Sequence, residues 1–130
     1  EDTNAFNKIM TAFRLPKKSD EEINYRLFKI QEATKYATEV PFKTLQLIHK
    51  VLLLVDIVLD EGNKNSFSDS GVASELAIAG AKGAIMNVKI NLKDIEDPDY
   101  IKSMNEEIKI INENINELSI IMNKKIDKNL

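Results

Sequence analysis

The stretch GNKNSFSDSGVASELAIAGAKGAIMNVKINLKDI, residues 62–95, decides how this chain folds. It opens with a polar turn, continues as a helix rich in small residues and closes on a second polar cluster. Gly62 suits the position just after a helix, where φ is often positive. Ser68, Asp69 and Ser70 compete as the N-cap of the next helix. Two glycines inside that helix, each costing about 1 kcal/mol relative to alanine, indicate that another backbone or a flat ligand comes close.

The segment before this stretch, residues 42–61, is apolar around most of its circumference. Such a helix is central in a bundle or lies in a subunit interface. Further upstream, Ser19 and Glu22 have the spacing of a capping box, which predicts a helix start. Pro41 is expected at a break or kink, or in the first turn of a new helix.

The last predicted helix has a heptad register, because its apolar residues alternate steps of three and four. These residues are Ile101, Met104, Ile108, Ile111, Ile115, Leu118 and Met122. A short amphipathic helix at the start carries Phe6, Ile9, Met10 and Phe13, with Asp2 or Thr3 able to cap it. The patterns together predict an all-α fold, an antiparallel bundle of about five helices in a single domain over residues 1–130.

Composition excludes several classes of function. The chain has 130 residues, a net charge of −3 and no cysteine, which argues against nucleic acid as a partner and excludes thiol catalysis and disulfides. The longest mostly apolar run, residues 51–59, contains Asp56 and is too short to span a membrane. The one histidine, His49, lies mid-helix, and the scattered carboxylates have no metal-ligand spacing, so no metal site is predicted.

Four pieces of the chain resemble, in order, the cyclodeaminase/cyclohydrolase family of folate enzymes. That family includes formiminotetrahydrofolate cyclodeaminase and a methenyltetrahydrofolate cyclohydrolase. The pieces are DTNAF (2–6) with FRLPK (13–17), ATEVP (37–41), residues 62–73 with their Gly-Asn, Ser-Asp and Val-Ala pairs, and Gly83-Ala84 followed by NVKINLK (87–93). The resemblance covers nearly the whole chain. It implies an enzyme that acts on the one-carbon unit between N5 and N10 of tetrahydrofolate.

One part of the family pattern has no counterpart here. The family begins with a further helical segment that contains a Gly-rich P-G-G-G-S turn. The chain starts at Glu1 rather than at methionine, so we expect upstream residues to be missing. A site built partly from that segment would then be incomplete in these 130 residues.

Two acids are the predicted catalytic residues. Asp69 is either a helix N-cap or a carboxylate that touches a ligand beside Asn63, Asn65 and Ser68, and the two roles can coexist. Asp2 has the same two interpretations.

Other polar residues are predicted to bind the substrate. Arg14 and Lys17 can meet an anionic group such as the glutamate tail of a folate, or are solvated helix-end cations. Asn87 and Asn91 are four residues apart on one helical face. Their side chains are predicted either to hydrogen-bond the edges of a pterin or to crosslink helices.

The chemistry that the resemblance implies needs proton transfer and a dry, shaped slot. The substrate is already electrophilic, so we expect no metal, no covalent nucleophile and no cofactor apart from the folate substrate. The sequence leaves open whether the reaction is that of the cyclodeaminase or of the cyclohydrolase. We expect a cytoplasmic homodimer. The alternative is a non-catalytic helical module that dimerises through its apolar helices.

Overall fold

The computed structural model describes residues 1–129, and these form four α-helices with no strand. The helices are α1 (Asp2–Phe13), α2 (Asp20–Glu61), α3 (Phe67–Leu92) and α4 (Pro98–Asn129), and a short 3-10 turn (Lys64–Ser66) precedes α3. The all-α prediction is confirmed. The predicted count of about five helices is wrong by one, because α2 continues without interruption through Pro41 for 42 residues.

A side chain from another helix explains why α2 does not break at Pro41. Proline has no N–H, so the carbonyl of Ala37, four residues earlier, lacks its helical donor. Asn91 Nδ2 of α3 donates to this carbonyl oxygen at 3.0 Å. The cross-helix bond replaces the missing helical bond, and Pro41 and Ala37 are both buried at this contact.

Contacts between distant residues show the topology. Lys35 of α2 pairs with Asp97, just before α4, and Asp56 and Asp60 of α2 pair with Lys125 near the end of α4. α4 therefore runs in the same direction as α2, and α3 runs antiparallel between them along the chain. α1 lies antiparallel on the first half of α2, because Lys8 is stacked on Tyr36 while Arg26 Nε donates to the Phe13 carbonyl oxygen.

The core lies between α2, α3 and α4. It contains Leu45, Leu52, Ala81, Val88, Ile115 and Met122, each at most 2% exposed. The heptad register predicted for the last helix is confirmed, since Met104, Ile108, Ile115, Leu118 and Met122 are all buried.

The helix starts confirm some predicted caps and correct others. Ser19 Oγ accepts from the Glu22 N–H at 3.2 Å, as the capping box predicts, and Asp97 Oδ1 accepts from Tyr100 N ahead of Pro98. Asp2 and Thr3 do not cap α1, because both are already helical and Glu1 holds the N-cap position.

The prediction for the start of α3 is wrong. Ser66 occupies the N-cap position and the helix begins at Phe67, so Ser68, Asp69 and Ser70 lie inside it. Gly62 does not have a positive φ, since its φ is −78° and its ψ 175°. Its lack of a side chain matters for another reason: a Cβ there would collide with the Val58 carbonyl oxygen.

Two helices expose rows of apolar residues. On α2 they are Leu47, Val51, Leu54 and Val58, each 46% or more exposed. On α3 they form what we call the outer face of α3: Val72, Leu76, Ala79, Gly83, Met86 and Ile90. No helix in residues 1–129 combines the length and apolar character that crossing a membrane requires.

Candidate active site

The residues predicted from the sequence lie in two separate regions of this chain. Asn63, Asn65, Ser68 and Asp69 are at the start of α3. Asn87 follows Asp69 by 18 residues on the same helix, which corresponds to about 27 Å. The chain alone therefore does not bring the two ends of α3 into one site.

At the first end, the polar turn is built from its own hydrogen bonds. Asn63 Oδ1 accepts from the Asn65 N–H at 3.0 Å, and the Asn63 carbonyl accepts from Ser66 Oγ at 2.6 Å. Asn63 thus caps the 3-10 turn. Asn65, Ser68 and Asp69 are exposed, which leaves the Asp69 carboxylate in the first turn of α3, where the helix dipole favours a negative charge.

At the other end, the two predicted asparagines differ. Asn91 is committed to the Ala37 carbonyl, so it is a helix crosslink, which was one of its two interpretations. Asn87 is exposed and remains available to a ligand.

A groove with a volume of about 800 Å³ lies between α1 and α2. We call it the α1–α2 groove. Its lining combines aromatic, amide, hydroxyl, aliphatic and charged side chains: Tyr25, Tyr36, Asn4, Asn7, Thr11, Ala12, Leu15, Ala33, Lys8, Lys29 and Glu32. Such a volume and such a mixture are typical of sites for small organic molecules.

Charged groups in this groove are held by neighbours. Lys8 Nζ lies 3.6 Å from the centre of the Tyr36 ring, a cation–π contact. Lys29 Nζ lies 2.6 Å from Glu32 Oε2, and this hydrogen bond raises the pKa of Lys29. The groove therefore offers two fixed cations, one carboxylate and two phenol rings to a bound molecule.

Three predicted residues lie around the α1–α2 groove without lining it. Asp2 is exposed at the tip of α1, two residues before Asn4. Arg14 and Lys17 are exposed at the opposite end, on either side of Leu15. Asp2 and Arg14 are 12 residues apart, about 18 Å along the helix. The groove thus runs from an acid at one end to two cations at the other.

The sequence did not reveal a further cluster of polar groups where α4 begins. Lys35 Nζ lies 2.6 Å from Asp97 Oδ2 and 5.0 Å from the centre of the Tyr100 ring. Burial, together with the charges of Glu39, Asp97 and Glu107, raises the pKa of Tyr100 to about 12. Tyr100 Oη, which therefore stays protonated, donates to the Lys35 carbonyl at 3.4 Å. No local pattern pairs Lys35 with a residue 62 positions away, so only the fold reveals this cluster.

We predict that this cluster makes stability dependent on acid pH. The hydrogen bond from Lys35 lowers the pKa of Asp97 below 3.8. A carboxyl group whose pKa is depressed in the folded state stabilises the protein at pH values above the pKa that the group has in the unfolded state. This contribution disappears as the pH falls through the pKa of the folded state. Asp97→Asn keeps an N-cap residue, and at pH 7 its Tm should be lower than that of the parent chain. The Tm values of the two chains should converge below about pH 3.8.

Thermal unfolding of both chains from pH 7 to pH 2 measures this effect. Asp99→Asn, which changes an exposed acid two residues further on, is the matched control. Parallel Tm curves for the parent chain and Asp97→Asn across the whole range would contradict the prediction.

The described residues contain no group of three or more His, Cys, Asp or Glu side chains placed to hold a metal ion. Proton transfer and hydrogen bonding are the chemistry that the grooves and exposed acids supply directly.

Comparisons with known proteins agree on one family. The family model described as formiminotransferase-cyclodeaminase matches residues 1–110. A methenyltetrahydrofolate cyclohydrolase of Methylorubrum extorquens is 41% identical over 108 residues, which are 83% of this chain and 52% of that protein. A formimidoyltransferase-cyclodeaminase of Gallus gallus is 34% identical over 99 residues, which are 76% of this chain and 18% of that protein.

A solved structure agrees with this grouping. The crystal structure of formiminotetrahydrofolate cyclodeaminase from Thermotoga maritima superposes with a TM-score of 0.83 and 29% sequence identity. The superposition covers 98% of this chain and 59% of that one. The chain thus spans about half of the bacterial cyclohydrolase and a smaller part of the bifunctional relatives.

Proposed function

This chain belongs to the formiminotransferase-cyclodeaminase family, and from that premise we propose that it carries the folate site of a one-carbon enzyme. The substrate is a tetrahydrofolate that holds a one-carbon unit at N5 or between N5 and N10. The first candidate reaction is hydrolysis of the methenyl bridge to 10-formyltetrahydrofolate. The 41% identity to a methenyltetrahydrofolate cyclohydrolase favours it over the 34% identity to the chicken cyclodeaminase.

The α1–α2 groove is the observation that carries this proposal. A reduced folate has a flat, hydrogen-bonding pterin at one end and an anionic glutamate tail at the other. The groove has two tyrosine rings and three amide or hydroxyl side chains along its length, and Arg14 and Lys17 lie at one end. Cations at that end favour the glutamate carboxylates. The reacting one-carbon unit then lies toward the tip of α1, where Asp2 is exposed.

In the proposed hydrolysis, the Asp2 carboxylate takes a proton from a water molecule as its oxygen bonds to the bridging carbon. A tetrahedral carbon forms, which carries the hydroxyl and both folate nitrogens. Asp2 returns its proton to N5 as the N5–carbon bond breaks. The hydroxyl proton leaves to solvent as the C=O of the 10-formyl group forms. One acid–base residue of this kind contributes roughly 10²–10⁴-fold to a rate.

The second candidate is the cyclodeaminase reaction, favoured by the likeness to the Thermotoga enzyme. N10 bonds to the formimino carbon that N5 carries and loses its proton. The leaving nitrogen gains two protons, one from N10 through the acid–base residue and one from solvent, and departs as ammonia. The methenyl bridge is then complete. The same groove and the same carboxylate serve both reactions.

Asp69 is the other proposed acid–base residue, with Asn63, Asn65 and Ser68 beside it and Asn87 as a ligand-side amide. In one chain Asp69 lies about 27 Å from Asn87. We therefore propose that the protein acts as a homodimer in which the start of α3 of one copy serves the other copy. We further propose that it acts in the cytoplasm, and that the reaction uses no cofactor other than the folate substrate.

An absorbance assay with methenyltetrahydrofolate and with formiminotetrahydrofolate tests the function. We expect loss of the methenyl chromophore with the first substrate, and an equilibrium titration should show folate binding to the 130-residue chain. If neither substrate turned over and no folate bound, the non-catalytic helical module would be the correct interpretation.

A further inference from the structure

The second half of α2 carries a row of exposed aliphatic side chains. We call Leu47, Val51, Leu54 and Val58 the outer row of α2, and their exposed fractions are 60%, 47%, 62% and 46%. They follow one another in steps of four, three and four, so they lie on one side of the helix. Leu52, on the opposite side, is fully buried. A continuous apolar row of this kind marks a surface that contacts another molecule or segment.

The outer row continues the line along which α1 lies on α2. Ala33, Tyr36, Val40 and Thr44 precede it in the same steps of three and four. The earlier part of this line is in contact with α1, because Ala33 is buried and Lys8 is stacked on Tyr36. One side of α2 therefore has a helical neighbour along its first half and none along its second half in residues 1–129.

The axis of α1 points toward the outer row. α1 runs antiparallel to α2, and Lys8 is level with Tyr36. Both helices rise about 1.5 Å per residue, so Glu1 is level with about position 43 of α2. The row begins at Leu47, about 6 Å further along the axis, and ends at Val58, about 17 Å beyond Leu47. A helix on the N-terminal side of α1 that kept the same axis would lie on this row.

Two lysines on one side of the row specify the charge of its occupant. Lys43 and Lys50 are exposed and seven residues apart, which places them on the same side of α2. Among residues 1–129, no ion pair involves either of them. Acids at heptad spacing on a neighbouring helix would complement both lysines. The row and its lysines together fit an amphipathic helix with one acidic flank.

We propose that the outer row of α2 docks a further amphipathic helix, which is joined to the N-terminal side of α1 and runs antiparallel to α2. About four helical turns span the distance from Glu1 to Val58. The relatives have room for such a segment, because the matched residues are 52% of the Methylorubrum protein and 59% of the Thermotoga chain. The inference stands on the packing of α1 and α2 and is independent of the proposed folate chemistry.

A designed extension tests whether the row accepts this helix. A helix of about 16 residues is joined directly to Glu1, with leucines toward the row and glutamates on the lysine side. The matched control has the same composition, but every leucine is moved by two positions, which turns the apolar face away from α2. The first extension should raise Tm by about 5 °C relative to the control. Equal Tm values for the two extended chains would overturn the proposal.

Substitutions on α2 test where the extension binds. Leu54→Glu should abolish the gain in Tm, because it places a charge in the middle of the row. Ile110→Glu is the matched control, since Ile110 is 58% exposed on α4, and it should leave the gain unchanged. A gain that survives Leu54→Glu would show that the extension binds elsewhere, and it would contradict the proposal.

Introduced cysteines test the direction of the helix, because the sequence contains none. A cysteine in the first turn of the extension should form a disulfide with Val58→Cys under oxidation. It should not react with Leu47→Cys, which is about 17 Å away along α2. Preferential crosslinking to Leu47→Cys would indicate that the extension folds back on itself, and the antiparallel arrangement would be wrong.

Sedimentation of the chain without an extension distinguishes a joined helix from a second copy. We expect Leu54→Glu to leave the oligomeric state of the parent chain unchanged. If Leu54→Glu instead dissociated a dimer, α2 of another copy would occupy the row and the proposal would fail. Folate binding by the parent chain is measured separately, and its result changes neither conclusion.

Discussion

Asp2→Asn should lower the rate of methenyl hydrolysis by roughly 10²–10⁴-fold, the range for loss of a positioned acid–base group. The amide keeps the size of the side chain but cannot accept a proton from water. Tm should hardly change, because Asp2 is exposed and does not cap α1. Absorbance of the methenyl group, recorded beside thermal unfolding of the same sample, measures both quantities.

Asp20→Asn is the matched control, because Asp20 is also the exposed first residue of a helix but lies far from the tip of α1. Asp69→Asn should also slow turnover, through the partner copy, and should cost little stability because Asp69 is not a cap. Normal turnover in Asp2→Asn together with slow turnover in Glu32→Gln would transfer the acid–base role to the carboxylate that lines the α1–α2 groove.

Asn91→Leu should lower the free energy of unfolding by about 1–3 kcal/mol, the cost of a buried carbonyl left without a donor. The affected group is the Ala37 oxygen, which Pro41 cannot serve. Asn87→Leu, at an exposed position one helical turn earlier on α3, is the control for the change in helix propensity and should be nearly neutral. Chemical denaturation of the two variants measures the difference.

Pro41→Ala provides a sharper test of the same contact. Alanine at position 41 supplies the helical N–H that Ala37 lacks. In the Pro41→Ala background, Asn91→Leu should therefore lower the free energy of unfolding by about 1 kcal/mol less than it does in the parent chain. A double-mutant cycle detects this coupling. Additive effects of the two substitutions would show that the Asn91 amide and Pro41 do not share this carbonyl.

Local patterns in the sequence predicted most of the secondary structure. The capping box at Ser19 and the heptad of α4 depend on residues within a few turns of each other, and both are confirmed. The predicted break at Pro41 is wrong because the compensating donor, Asn91, lies 54 residues away in the sequence. Propensity arguments consider one helix at a time and do not include such a partner.

The candidate site was only partly predictable for a similar reason. Residue types and resemblance predicted Asp2, Arg14 and Lys17 as site residues, but the groove between them depends on how α1 lies on α2. Residue types alone also gave Asn91 two roles, and only the fold shows that its amide is already in use. The ion pair of Lys35 with Asp97 depends on the docking of α4, which no local pattern encodes.

The way α1 is attached has a consequence for how the α1–α2 groove opens. Only Ala5 and Ala12 of its 12 residues are buried, whereas α2, α3 and α4 share the core. Segments with few buried contacts detach by local unfolding at a small fraction of the global free energy. We therefore expect α1 to detach by local unfolding while the three core helices stay folded. A molecule bound between α1 and α2 should oppose this detachment, so we expect it to slow amide hydrogen exchange in α1 far more than in α3 or α4.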